Sequence, residues 1–295
     1  MLNEALQKLK AGYHKHWKSL MIIPAIMLVL GMATLGYTYM TKGWIVERDI
    51  ELSGGKLITI NTAGAVDTAA IDAKLAAAGL KEYDVRFASG LGTGNLLIQI
   101  TADTDEKVVL DALSGTVDTK DYNVNLMGPA LGETFWKQTQ LAIIFAFVFM
   151  AVVVAIIFRS FVPSFAVILS ALSDMALTIA VMDLLGIKLS LAILGALLML
   201  IGYSVDTDIL LTTRATKYVN REEAIESAVK TGLTTTATTV AALAVMLLIT
   251  QAVVLKQIAM IIIIGLVIDI PNTWFMNAGI IRSWLMKKDK GAANA

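Results

Sequence analysis

The sequence predicts a membrane α-helical protein with six transmembrane helices and an extracytoplasmic α+β domain inserted after the first of them. Three observations lead there. Of 295 residues, 57% are hydrophobic and 16% charged, whereas an ordinary soluble domain holds about 45–50% and about 25%. The apolar residues gather into six stretches, near 19–40, 138–158, 164–185, 189–211, 233–251 and 257–281. Each approaches the roughly 20 residues that a helix needs to cross a bilayer core. Between the first two lies one long polar segment with alternating strand and helix patterns.

The chain divides on this reading into an N-terminal cytoplasmic segment (1–18), a first span (19–40), an α+β domain (41–137), a five-helix bundle (138–285) and a tail (286–295). The first span is too long for the apolar core of a signal peptide and lacks a small-residue cleavage site, so it is kept as a span. In the polar segment, "KLITI" (56–60) reads as a strand and "VDTAAIDAKLAAAGL" (66–80) as a helix ending near Gly79. "YDVRFA" (83–88) and "NLLIQI" (95–100) read as strands joined by the turn-rich "SGLGTG". That linker lacks the spacing of a nucleotide-binding loop and opens no helix, so a hairpin connection is the better reading. "DTDEKVVLDALSG" (103–115) follows as a helix with acids in its first turn, and "YNVNLM" (122–127) as a last strand. The order βαββαβ is that of a ferredoxin-like fold.

Orientation follows from Lys and Arg near the short connections. Lys8, Lys10, Lys15 and Lys18, then Arg159, then Arg214, Lys217, Arg221 and Lys230, then Arg282, Lys287, Lys288 and Lys290 fall on one side; Lys188 and Lys256 fall on the other. Both termini are therefore expected in the cytoplasm and the α+β domain outside, in a multi-pass protein of the cell membrane. Residues 41–138 carry nine Lys and Arg against fourteen Asp and Glu, so the domain is acidic.

Several function classes drop out. Formal net charge is zero, so nothing points to nucleic acid. With no Cys, thiol chemistry, disulfides and most zinc sites are excluded. The two His, His14 and His16, sit together near the N-terminus, which leaves no triad or His-based metal site. No nucleophile–base or metal constellation speaks for an enzyme, and no cofactor is expected.

The chemistry lies in acids placed where acids are expensive. Asp174, Asp183, Asp206, Asp208 and Asp269 fall in or near spans. An acid near the bilayer centre costs roughly 2.5–3.5 kcal/mol on insertion scales, and such residues face a bundle interior or a water-filled path. A desolvated carboxylate favours its neutral form, which makes it a proton-relay candidate. Asp206 and Asp208, in "LIGYSVDTDILLTTR", point about 200° apart on a helix. Asp206 shares its face with Gly202, which permits close helix approach. Asp208 lies on the stripe Ser204–Asp208–Thr212, nearer the cytoplasmic end, where water or Arg214 could satisfy it. Geometry alone does not choose between them, but an interfacial, solvated role is the stronger alternative for Asp208. Asp183, at the outer end of its span, reads as solvated.

In the fifth span, Thr234, Thr235, Thr238 and Thr239 can bond their own helix or a neighbour, and Lys230 just before them either snorkels to headgroups or pairs with a membrane carboxylate. In the sixth, Pro271 should kink the helix beside Asp269 and Asn272.

With these residues in view, the chain resembles the SecF family of protein-export membrane proteins, closest to its archaeal branch. Four stretches carry the likeness, in order: "IELSGG" (50–55), "MGPALGETF" (127–135), "FRSFVPSFAVILSALSDMAL" (158–177) with Asp174 at the family's third-span Asp, and "GYSVDTDIL" (202–210). The resemblance implies one half of an RND-like transporter, with SecD as partner, the Sec translocon (a SecY/SecE-type channel) beside it and a translocating polypeptide as cargo. It implies an auxiliary role in export that uses the proton gradient. A small-molecule or lipid exporter and a purely structural partner of SecD are the alternatives. Bacterial SecF places its fourth-span Asp where Thr207 stands here, whereas the SecD-type pattern Val-Asp-Ala-Asn aligns with Val205–Asp208 and points to Asp206. Lys230 stands near the family's fifth-span basic residue. Asp206, Asp174, Asp208, Asp269 and Lys230 are thus the proton-coupling candidates. Gly54, Gly55, Gly128 and Pro129 are read as shaping the junctions between domain and membrane.

Overall fold

The computed structural model describes residues 16–293 apart from 63, 65, 81, 90–93 and 219. His14 and most of "SGLGTG" lie outside the described residues. Among the described residues, six helices are long and apolar enough to cross a membrane. In chain order the elements are α1 (Ile22–Lys42), a short α2 (Ile50–Ser53), β1 (Gly55–Thr62), α3 (Thr68–Ala77), β2 (Tyr83–Ser89), β3 (Gly94–Ile100), α4 (Glu106–Leu113) and β4 (Tyr122–Met127). The bundle continues with α5 (Pro129–Phe158), α6 (Phe161–Leu184), α7 (Leu191–Lys217), α8 (Arg221–Ile249) and α9 (Val253–Pro271). A π-helical turn (Asn272–Asn277) then leads into α10 (Ala278–Ala293).

The α+β domain has the expected element order, and its sheet runs β2-β3-β1-β4 with every neighbour antiparallel. That is the ferredoxin-like arrangement. Alternation sets its two faces. Ile58, Ile60, Leu96, Ile98 and Ile100 point to the helix side and pack with Ile71 and Leu75 of α3 and with Val109 and Leu113 of α4. Each is essentially fully buried, worth about 1.5–3 kcal/mol of transfer free energy apiece. The same pleat turns Leu57, Thr59, Leu97 and Gln99 to the open face, which looks toward the bundle across a cavity of about 350 Å³. Asp67 and Asp105 cap α3 and α4 by accepting backbone N–H bonds.

The helices of the bundle are longer than the hydropathy stretches. α5 starts at Pro129, not near residue 138, because proline suits a first helical position and Glu133 and Lys137 are tolerated before the apolar run begins. Gly54 and Gly55 join the domain to the bundle at positive φ, 83° and 139°. A Cβ on Gly54 would fall 2.7 Å from Pro129 Cα, and one on Gly55 would fall 2.7 Å from the Ile100 carbonyl oxygen. Gly128 has open space around it and a regular backbone as the residue before α5.

α6 and α7 form the buried centre, with Ala171, Met182, Ile193, Leu197, Ile261 and Leu266 in one core. α1, α5 and α8 show apolar side chains such as Val29, Phe149 and Leu248 outward, as lipid-facing helices do. Apolar area gives no drive for association inside lipid, so close approach and polar bonds must supply it. Gly265 of α9 lies directly under the Leu200 side chain of α7, and Gly232 of α8 under the ring of Trp274. Thr234, Thr235 and Thr238 bond their own helix backbone.

The structure shows how the sixth span takes up Pro271, where the sequence predicts a kink. The proline ends α9, and the next six residues form the π-helical turn. Pro271 removes one backbone donor. A wider turn accommodates that defect, and such bulges gather at functional sites.

Candidate functional site

The π-helical turn presents Asn272, Thr273 and Asn277 inward, all without solvent exposure. They meet three acids. Asp174 comes from the middle of α6, Asp208 from α7 and Asp269 from the last turn of α9; none is more than 1% exposed.

Each acid is held by hydroxyls or amides. Asp174 accepts from Ser204 Oγ at 2.5 Å through Oδ2 and from Asn272 Nδ2 at 2.6 Å through Oδ1. Asp208 Oδ1 accepts from Asn277 Nδ2 at 2.7 Å. The Thr273 hydroxyl stands between two acids, 2.8 Å from Asp269 Oδ1 and 3.0 Å from Asp208 Oδ1. Thr207 Oγ1 lies 3.1 Å from Asp269 Oδ2 and also reaches the Ser204 carbonyl at 2.8 Å. Ser204, Thr207 and Asp208 thus tie α7 to α6 on one side and to the sixth span on the other.

Proton accounting constrains the site. A threonine hydroxyl donates one hydrogen bond. Thr273 can give it to Asp269 or to Asp208, not to both. The other carboxyl must then donate to the hydroxyl oxygen, which requires a proton on that carboxyl; otherwise two acceptors face each other in a buried site. The geometry therefore suits one proton held between Asp208 and Asp269. Asp208 Oδ2, Asn272 Oδ1 and Asn277 Oδ1 have no bonded partner among the described residues, and the buried hydroxyls of Ser170, Ser173 and Thr212 on α6 and α7 are likewise unpaired.

The expected pair Asp206 and Asp208 do point apart. Their environments differ. Asp208 is fully buried with Ser204 and Thr212 on the predicted stripe rather than lying at a solvated interface. Arg214 instead donates to Ser227 and Thr231 of α8. Asp206 lies on the exposed face with Gly202. A Cβ on Gly202 would meet nothing within 4 Å, so no helix among the described residues packs closely there. Lys230 is exposed on α8 and is not among the partners of the three acids. Asp183 is not simply solvated: it accepts from Thr38 of α1 at 2.5 Å.

The π turn and the roles of Asn277, Thr273 and Ser204 were not picked out in the sequence. The one available signal was the spacing of Asp269, Thr273 and Asn277 at four-residue intervals on one helix face.

Fold and site together define a protein with six helices able to cross a membrane among the described residues, an inserted α+β domain and a buried cluster of three acids. Residues 108–287 match the family described as protein export membrane protein SecD/SecF, C-terminal. The protein-export membrane protein SecF of Methanolacinia petrolearia is 38% identical over 276 residues, 92% of this chain and 94% of that one. SecF of Pyrococcus furiosus is 37% identical, with 97% of each chain covered. SecF of Methanothermobacter thermautotrophicus is 40% identical, covering 92% of this chain and 93% of its own. Among solved structures, that of SecDF, a translocon-associated membrane protein from Thermus thermophilus, superposes with a TM-score of 0.74 at 18% identity. It covers 92% of this chain, which spans only 38% of the SecDF chain. The chain belongs to the SecF family of protein-export membrane proteins.

Proposed function

We propose that this chain is an auxiliary subunit of the Sec protein-export machinery, and that it acts with a SecD-type partner beside a SecY/SecE-type channel to promote movement of polypeptides across the membrane. In this reading the proton gradient drives it, and the cluster Asp174–Asp208–Asp269 is where protons act. One observation carries the proton part: the single hydroxyl of Thr273 between two buried carboxyls, an arrangement that fits when one of them is protonated. Loading or releasing that proton changes which bonds hold α7 to the sixth span, which is the requirement for a two-state coupling element. The Lys and Arg distribution supports cytoplasmic termini and an α+β domain outside.

Asp206 and Lys230 belong to the same reading in a different place. Both face outward from this half, where a partner half would pack and bury them.

Pulse-chase export of a secreted protein tests the proposal in cells carrying Asp208→Asn or Asp174→Asn, with chain level and partner co-purification checked. Slow export with intact assembly is expected. Export at the parental rate would remove the cluster from the mechanism and leave a purely structural subunit.

A further inference from the structure

We propose that Lys188 is a positioning residue for export: it clamps the α6–α7 connection to the α+β domain, so that movement of α7 is carried into the domain as one rigid piece. This deepens the proton-coupled reading above and rests on it.

Lys188 sits in the short connection before α7 and is only 8% exposed. Its Nζ lies 2.8 Å from Glu47 Oε1 and 3.1 Å from Asp84 Oδ2. It also donates to Gln99 Oε1 at 3.4 Å. Glu47 belongs to the stretch after α1, whereas Asp84 and Gln99 stand on the open face of β2 and β3. A second cation completes the net. Arg86 Nε donates to Asp84 at 2.7 Å, and its guanidinium lies 3.7 Å from Asp49. Exposed ion pairs contribute little, but removing one partner of a buried pair leaves an uncompensated charge.

Backbone bonds reinforce the clamp. Leu189 N donates to the Glu47 carbonyl at 2.7 Å, and Asp49 N donates to the Leu189 carbonyl at 2.8 Å. Leu191 N, in the first turn of α7, donates to Glu51 Oε2 at 2.8 Å. The start of α7 is thus bolted to the domain by main chain and by charge.

Two further features make the clamp a transmitter. α7 is a continuous helix from Leu191 to Lys217, and Asp208 lies about 26 Å along it from the clamp at about 1.5 Å per residue. Displacing the Asp208 end therefore displaces the Lys188 end. Beside the clamp, the open sheet face and the start of α9 are separated by the cavity lined by Leu57, Leu97, Asn125, Val253 and Gln257. The domain is bonded to the start of α7 by main chain and by charge, and it meets the stretch before α9 across the cavity and through Asn95 Nδ2, 3.4 Å from the Gln251 carbonyl; the clamp ties its movement to that of α7.

The test uses the full chain with its partner. Because the chain has no Cys, Lys107→Cys and Ala252→Cys give unique spin labels on the domain and beside α9. Lys188→Gln is expected to slow export about threefold or more with assembly intact. Lys188→Glu should be slower still and recover when combined with Asp84→Lys. The label distance should change on Asp208→Asn when Lys188 is present and stay fixed in Lys188→Gln. Parental export in Lys188→Gln, or a distance change that persists without Lys188, overturns the clamp. Failure of the underlying reading is seen separately: Asp208→Asn then exports at the parental rate and leaves the distance unmoved, and the transmitter role falls with it.

Discussion

Asn277 reaches across from the π-helical turn to Asp208 and donates a 2.7 Å hydrogen bond to its Oδ1, so the widened turn of the sixth span holds the acid of α7 directly. Replacing Asn277 by Ala removes that donor while Asp208 remains buried. Hydrogen bonds between membrane helices average about 0.6 kcal/mol and reach about 1.7, and the loss here should fall near the upper figure because the acceptor is a carboxyl. Chemical denaturation of the protein in detergent measures it. Unchanged stability would mean that Asp208 finds another donor.

Asp206 should behave in the opposite way. Asp206→Asn is expected to leave the stability of the isolated chain within about 0.5 kcal/mol, as an exposed substitution does. Its effect belongs to the assembled pair, and co-purification with the SecD-type partner together with export rate reads it. A large loss of stability in the isolated chain would show that the α7 outer face is already packed.

Gly54→Ala should damage the joint between domain and bundle. The new methyl meets the Pro129 backbone and forces a left-handed residue at φ 83°. Strain of this kind costs about 1–3 kcal/mol. Limited proteolysis in the 43–55 stretch should accelerate, whereas Gly128→Ala, with open space around it, should leave cleavage unchanged.

Acid should loosen the end of the α+β domain where α4 begins. Glu106 is held below the usual glutamate range by a hydrogen bond to its own backbone and then by Lys56, whose Nζ lies 3.1 Å away. A lowered folded value means that the contribution is complete above the ordinary glutamate range and is lost as pH falls through the depressed one. Exchange of the α4 amides, taken relative to the intrinsic rate at each pH, should rise on acidification, and Glu106→Gln should flatten that response. A parallel rise in the variant would assign the effect to other acids.

Much of this architecture was legible before any coordinates. β4 falls on the residues read as a strand, and six long apolar helices overlap the six hydropathy stretches while running beyond them, because period-two alternation and long apolar runs are local signals. The carboxylate cluster was legible only in part. The half-turn between Asp206 and Asp208 follows from helix geometry alone. Which of the two faces is buried depends on α6 and the sixth span, whose bonds to α7 join residues 30 to 69 positions apart, and no local pattern states it. The favoured clue, Gly202, marks close approach only when another helix arrives. Lys188 was counted as one of two positive residues in the outer connections; its burial arises from a sheet folded a hundred residues earlier. The π turn escaped because proline signals a break without saying how the chain absorbs it.

That turn has a further consequence for how the sequence tolerates changes in length. Within a regular helix, losing one residue rotates everything downstream by about 100°. Between Asn272 and Asn277 the wide turn holds about one residue more than an α-helical turn, so losing one lets it relax to regular helix with the downstream phase kept. Ala278, Ile281 and Leu285, which line one buried seam, would stay on that seam, while Thr273 and Asn277 would lose their places against Asp269 and Asp208. A single-codon deletion here is therefore expected to spare folding of the final helix and to spoil the acid cluster.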